Sequence, residues 1–553
     1  MKKKVLALFS REVGGLHEAA FLLGISSLGS ALLALLRDRL LAHTFGASRD
    51  LDIYYTAFSI PDFLNVTVAS FVAVTVLIPL LVKRLKNTDG GQEASRFLSE
   101  VFLVYAGIMI LVAIAGYVLM PFFAVVVVPS FDERAQALFV LLSRILLLQP
   151  FLLGLSNLLG SVTQSMRRFA LLALSPLLYN LGIILGIVFL YPLMGLPGLV
   201  WGVVLGALFH MLIQVPALVS SGLSLGFVRS IRWREIRDVV ALSLPRSIGL
   251  GMTQILTIAL FRLASDMHAG SVALFQFADN LQAVPLGIIG VSYSTAAFPS
   301  LARLISEGKP EHFARHVSTA LRHILYWSLF LSALLFVLAP DLVVFLLGSG
   351  RFGAGDSTIT GISLALFAFS VAPQGVLLLF TRSYYAAGDT AKPVYANTFS
   401  MCITMALALL FVYLYETIPS LAHALDQALG LMPNALNEVV VLPIAFSIGM
   451  VVNALLHAEA FILDFLASPR AILGSFARSM LLALFTGAFA FLFRSFLVEH
   501  TSFTNAGSFS NLAIVGIGSF LFFVLFSYAI ARSEFEEVFG LLRRKVMGAG
   551  TVA

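Results

Sequence analysis

The sequence predicts an all-α integral membrane protein with fourteen transmembrane helices. These form two pseudo-symmetric six-helix lobes around a central cavity, with a C-terminal helix pair added. Three observations predict it. Apolar stretches long enough to cross a bilayer follow one another almost end to end, lysines and arginines crowd into alternate connections, and a proline–asparagine pattern returns six spans after its first appearance. The 553 residues are 59% hydrophobic and 12% charged, where a soluble domain carries about 25% charge. No hydrophilic interval is long enough to form a separate soluble domain.

A helix rises about 1.5 Å per residue and the hydrocarbon layer is about 30 Å thick, so roughly 20 apolar residues make one crossing. Spans are expected at 19–42, 53–82, 97–119, 138–163, 171–190, 198–220 and 240–264. The second set is 272–305, 324–347, 359–387, 394–415, 439–466, 472–497 and 512–531. Continuous apolarity excludes a barrel, whose strands alternate. The division is then a lead-in 1–18, a first lobe 19–220, a basic linker 221–239, a second lobe 240–466, a last pair 467–531 and a tail 532–553. The lead-in has a basic start but no clean apolar core, so it reads as a surface segment and not a removable signal peptide.

Basic residues set the orientation. With the N-terminus inside, the internal connections carry Lys83, Arg84 and Lys86, then Arg167 and Arg168, then Arg229, Arg232, Arg234 and Arg237, then Lys309 and Arg315, Lys392 and Arg470. The opposite connections are nearly bare, which places both termini on the cytoplasmic side. The net charge of +6 therefore belongs to membrane orientation, and no nucleic-acid partner is expected. The single cysteine, Cys402, sits in an apolar stretch, excludes an intramolecular disulfide and reads as a small buried apolar side chain.

The repeat joins S-P-L-L-Y-N with K-P-V-Y-A-N, so that Pro176 and Asn180 match Pro393 and Asn397. An even number of spans separates the copies, so they share an orientation, as in transporters built from parallel lobes.

Ionisable residues inside a span cost about 2.5–3.5 kcal/mol each on insertion scales and therefore face a cavity or a partner. In the second span Asp52, Tyr55, Ser59, Asp62 and Asn65 recur at helical spacing on one face. Asp62 lies roughly ten residues in, about 15 Å deep, just after Pro61. Its two readings are a group in a wet cavity and a carboxylate bonded to nearby backbone. Ser26, Ser30 and Arg37 share a face of the first span, with Asp38 and Arg39 beside them. In the seventh span Arg246 and Arg262 read equally as cavity cations and as interface anchors. In the eighth, Gln276, Asp279 and Asn280 share a face, and Pro285, Gly287 and Gly290 permit a bend. Asp279 reads equally as a transport group and as a structural partner of Arg262. His457, Glu459 and Asp464 lie toward the inner end of the twelfth span, where a solvated reading is preferred.

No metal cluster, Walker loop or catalytic constellation emerges, so no enzyme activity and no cofactor are expected. Movement of a substrate would then draw on the membrane potential, the substrate's own gradient, or an ion such as Na+ or H+.

At residues 37–64 the chain reads R-D-R-L-L-A-H-T-F-G-A-S-R-D-L-D-I-Y-Y-T-A-F-S-I-P-D-F-L, which resembles the MurJ (MviN) family of lipid II flippases. Residues 277–301, 168–180 and 386–394 extend the likeness over most of the chain. The resemblance implies the multidrug/oligosaccharidyl-lipid/polysaccharide exporter fold in a bacterial cytoplasmic membrane, with the last pair 467–531 forming a lipid-facing groove and undecaprenyl-diphosphate-linked muropeptide carried outward by alternating access. By the same resemblance Arg37 matches the family's cavity arginine, Asp38 is its companion, and Asp52 is the acidic residue after F-G-A. An arginine fork suits a diphosphate in a low-dielectric site.

The chain also departs from the pattern. Where typical members have further cavity arginines it has Ala31, Asn65 and Asn280, and Ser70 replaces an acidic residue. Arg246 and Arg262 are the candidates to restore the charge. The expected function is a flippase of lipid-linked peptidoglycan precursor, with membrane lipids and cell-wall synthesis proteins as further partners. Two alternatives remain: a cation-coupled exporter of drugs, metabolites or another lipid-linked glycan, favoured by Asp62 and Asp279, and a non-transporting scaffold for cell-wall enzymes, which the missing arginines permit.

Overall fold

The structure, a computed structural model, describes residues 16–68, 77–78, 80–81, 84, 91–166, 168–226, 228–432, 434–465, 469–500, 508–532 and 534–536. Most of the expected lead-in, much of the second span beyond residue 68 and most of the C-terminal tail lie outside them. Every regular element among the described residues is helical. Eleven helices among them are long and apolar enough to cross a bilayer, and they coincide with the third to sixth and the eighth to fourteenth expected spans. Helix is also described at the first position, at the seventh, and over most of 53–67 of the second.

The chain divides into two compact units, which meet in sequence at Val272 and Ala273. The first contains α1 (Leu16–Phe45), α2 (Arg49–Ala57), α3 (Ser59–Thr67), α4 (Gln92–Val127), α5 (Glu133–Leu146), α6 (Leu148–Ser165), α7 (Phe169–Leu185), α8 (Leu196–Leu212), α9 (Val215–Ser220) and α10 (Trp233–Asp266). Helix α10 belongs here by packing, since it lies along α3 and α4.

Local chemistry explains the breaks. α1 ends at Gly46, whose φ of 61° is the left-handed conformation glycine adopts freely. Gly46 N–H returns to the Ala42 carbonyl at 2.9 Å. The second expected span breaks at Phe58, between α2 and α3. Pro61 has no N–H to give the Ala57 carbonyl, and the Ser143 hydroxyl donates to that carbonyl instead at 3.0 Å.

α7 and α8 meet along glycines spaced as small-xxx-small. A Cβ on Gly182 would sit 2.3 Å from the Gly206 Cα, and one on Gly186 would sit 2.6 Å from the Gly202 Cα. This approach brings α7 against α8 backbone to backbone, with the chain after Leu185 widening into a π-type turn at Gly186–Leu190.

The second unit contains α11 (Ser271–Leu286), which reaches it from Ala273, then α12 (Ser292–Ser306), α13 (Pro310–Leu347), α14 (Ala354–Ala386), α15 (Ala391–Thr417), α16 (Pro419–Ala428), α17 (Val441–Phe465), α18 (Pro469–His500) and α19 (Phe509–Ile530). The bend expected from Pro285, Gly287 and Gly290 is a π-type turn at Gly287–Val291. α13 packs on α14 and α18, α17 packs on α14 and α15, and α19 packs on α18.

The last pair is fastened to α13. Arg494 on α18 pairs with Asp341 on α13, with Nη2 donating to Oδ1 at 3.0 Å, and Asn511 on α19 donates to Asp341 Oδ2 at 3.4 Å. Phe330 and Phe523 rings, 4.2 Å apart between centroids, continue the contact. Two expectations change. Cys402 is exposed on α15, since that stretch of α15 presents it outward. His457 is buried, its Nδ1 on the Asn453 carbonyl one turn back, because α17 packs between α14 and α15.

Candidate functional site

The first unit gathers polar side chains from five helices. On α1, Ser30 and Arg37 lie two turns apart and so face the same way. Arg37 Nε donates to Asp38 Oδ1 at 2.9 Å, Nη2 approaches the same oxygen at 2.8 Å, and Nη1 donates to Asn180 Oδ1 at 3.2 Å. Asn180, on α7, donates in turn to Ser30 Oγ at 3.3 Å. Asp38 is buried, whereas Arg37 keeps 20% of its side chain exposed. The guanidinium is thus aimed by an acid and an amide, with N–H groups left over for a ligand.

One residue before Asn180, Tyr179 opens a second group. Gln149 on α6 donates through Nε2 to the Tyr179 hydroxyl at 3.2 Å and to Asp62 Oδ1 at 3.3 Å. Gln149 is buried, and its Oε1 has no hydrogen-bond partner among the described residues. The Ser59 hydroxyl, one turn before Asp62 on α3, is likewise buried without a partner among them. Asn65, one turn beyond Asp62, is half-buried. On its far side the Tyr179 ring meets His210 edge-on, centroids 6.5 Å apart. His210 Nδ1 lies 2.7 Å from Ser156 Oγ.

The other expected residues stand elsewhere. Asp52 is wholly buried and accepts the Gly270 N–H at 2.6 Å, with Arg49 at 3.9 Å. A Cβ on Gly270 would sit 2.6 Å from the Ala47 carbonyl. Asp52 therefore holds the chain after α10 against the F-G-A turn. Arg262 donates to the Val126 carbonyl at 2.8 Å and lies 3.9 Å from Asp266. It sits at the C-terminal end of α4, where unsatisfied carbonyls and the helix dipole favour a cation. Arg246 lies on α10, and its side chain is outside the described residues.

In the second unit Gln282 donates to Asp279 Oδ1 at 2.7 Å and accepts from Ser370 at 2.8 Å and from Gln374 at 3.1 Å. Asn280 accepts from Gln276 at 2.7 Å. Asp464 binds Lys392 at 2.6 Å and the Tyr384 hydroxyl at 2.7 Å, which makes it a paired carboxylate.

The basic linker is also engaged. Glu100, fully buried, accepts Arg232 Nε and Arg96 Nε at 3.0 Å each, and Glu235 takes Arg232 at 2.8 Å and Arg84 at 2.5 Å. Among the described residues no group of His, Cys, Asp and Glu could hold a metal ion. The sequence reading did not assign Gln149, Tyr179 or Asn180 to the site, although each is a polar group inside an apolar run.

A family model described as "Lipid II flippase MurJ" matches residues 41–431. A probable lipid II flippase MurJ of Rhizobium tropici is 26% identical over 410 residues, covering 72% of this chain and 76% of that protein. The lipid II flippase MurJ of Burkholderia cenocepacia is 26% identical over 405 residues, 71% and 77% of the two chains. Among solved structures, a lipid II flippase MurJ in an inward closed conformation superposes with a TM-score of 0.73 at 22% identity, over 93% of this chain and 99% of that one. An inward-facing multidrug resistance MATE family transporter gives 0.59 at 15% identity, over 78% and 94%.

Proposed function

Because the chain belongs to the lipid II flippase MurJ family, we propose that it translocates lipid-linked peptidoglycan precursor from the inner to the outer leaflet of the bacterial cytoplasmic membrane by alternating access. The match over residues 41–431 carries this reading. It takes in the Arg37 partner Asn180 and the whole Asp62 group, though Arg37 and Asp38 themselves lie just before it.

The geometry around Arg37 supports the substrate class. A guanidinium steadied by Asp38 and Asn180 presents donors to a diphosphate at a fixed angle, and charge-assisted bonds of this kind are roughly twice as strong as neutral ones. Asp38 offsets part of the charge, so the anion would bind reversibly, as a carrier requires. Arg262 is left out of this role, because its donors serve the Val126 carbonyl and Asp266. Asp52 is left out as well and acts as a structural fastening. Both termini are assigned to the cytoplasm on the distribution of basic residues, and catalysis is not part of the reading.

Arg37→Ala in a strain depleted of its own flippase tests this. We expect loss of rescue, with precursor accumulating in the inner leaflet. Full rescue with normal precursor exposure at the outer leaflet would refute it.

A further inference from the structure

We propose that Asp62 is a proton-binding site of the first unit and that the Gln149 amide turns over as the proton comes and goes, reversing its hydrogen bonds to Asp62 and Tyr179 together. The proposal rests on the flippase reading for what the proton would drive, but not for its chemistry.

Asp62 lies near mid-span, where an ionised carboxylate is costly unless a cation or strong donors hold it. Its donor is Gln149 Nε2 at 3.3 Å, well beyond the roughly 2.7–2.9 Å of a charge-assisted bond. The charged groups on the surrounding helices are committed to other partners. Arg37 serves Asp38 and Asn180, Arg144 on α5 donates to the Tyr117 carbonyl at 3.0 Å, and Arg262 on α10 serves the Val126 carbonyl. Arg49 on α2 lies beside the buried Asp52, and Glu100 on α4 is taken by Arg96 and Arg232. The remaining titratable neighbours are four phenols and one imidazole: Tyr54 and Tyr55 on α2, Tyr105 on α4, which donates to the Pro150 carbonyl at 2.9 Å, Tyr179 on α7, and His210 on α8, edge-on to the Tyr179 ring with Nδ1 2.7 Å from Ser156 Oγ. Arg246 lies on α10, which reaches α3 through Gly251 against Thr67, and its side chain is outside the described residues.

The amide supplies the second half of the argument. Nε2 faces both Asp62 and the Tyr179 hydroxyl, while Oε1 is buried without a partner among the described residues. An amide oxygen carries two acceptor sites. When the carboxylate takes up a proton it becomes a donor, and a half-turn of the amide brings Oε1 round to accept from the Asp62 O–H and from the Tyr179 O–H. In both states Asp62 and Tyr179 keep a hydrogen bond to the amide, and no atom besides the proton enters or leaves. Tyr179 precedes Asn180, which holds Arg37. The proton state of Asp62 therefore reaches the guanidinium through one peptide unit.

Infrared difference spectroscopy on the full-length protein in proteoliposomes, without precursor, tests this. Between about pH 5 and pH 9 a protonated-carboxyl band should appear as pH falls, be absent in Asp62→Asn, and shift in frequency in Asp62→Glu. Gln149→Leu should move the band's midpoint by about one pH unit or more. A band unchanged in both Asp62 variants, no titrating band in that range, or a band abolished by Na+ at fixed pH would each overturn the proposal. Precursor translocation by the wild type, assayed in the same vesicles, tests the flippase reading separately. A titrating Asp62 without translocation would sink that reading alone.

Discussion

Gly206→Ala is the perturbation whose cost can be worked most directly from the structure. Its new Cβ would lie 2.4 Å from the Tyr179 carbonyl, where ordinary contact begins at 3.4 Å. The obstacle is backbone and not a side chain that can swing aside, so α7 and α8 must part by about 1 Å, 3.4 minus 2.4. Overpacking of this kind costs about 1–3 kcal/mol. If the shift is passed on to the Tyr179 ring, its 3.2 Å bond from Gln149 stretches beyond hydrogen-bonding range, adding about 1 kcal/mol. Alanine returns about 0.5–1 kcal/mol of helix preference, so the net loss is about 1–3 kcal/mol. Gly107→Ala on α4 is the control, since nothing lies within 4 Å of its Cβ, and it should be neutral or slightly stabilising. Thermal unfolding of the detergent-purified protein, followed by loss of monodispersity, reads both. A Gly206→Ala protein as stable as the Gly107→Ala protein would refute the glycine seam.

Arg494→Ala leaves the buried Asp341 carboxylate without its cation and should cost about 3–5 kcal/mol. Replacing both residues by leucine should cost less than the single change, and thermal unfolding of the two variants compares them. Glu100→Gln removes the buried negative charge that pairs with Arg96 and Arg232, and should make the 221–232 stretch cleave faster in limited proteolysis of inside-out vesicles. An unchanged cleavage rate would count against a fastened linker. Cys402, exposed on α15 within an apolar span, should react with a membrane-permeant maleimide but not with a charged one in intact membranes. Equal labelling by both would place it in water.

Depth along the membrane was legible in the sequence, and rotation about each helix only partly so. Runs of apolar residues located the spans because burial in lipid demands them whatever the neighbours are, and the bend at Gly287–Val291 followed from its proline and glycines. Phe58 was missed as the break point, since Pro61 carries the signal but the carbonyl it strands belongs to Ala57. Arg37 and Asp38 form one group, as their adjacency suggested. Their third member, Asn180, stood out only as a repeat, because nothing local shows that α7 packs on α1. Arg262 could be judged only evenly from sequence: its main partner is a backbone carbonyl, which every residue has. The Asp341–Arg494 pair was missed for a related reason, since two charges at span ends look like ordinary surface residues until α13 and α18 lie side by side.

The bond from Gly270 to Asp52 closes a loop of 218 residues. A ribosome adding about 5–20 residues per second needs roughly 10–40 s to make that stretch. Throughout that interval the newborn Asp52 waits without the Gly270 amide that later caps it. The first unit is therefore completed late, by the arrival of its last connection.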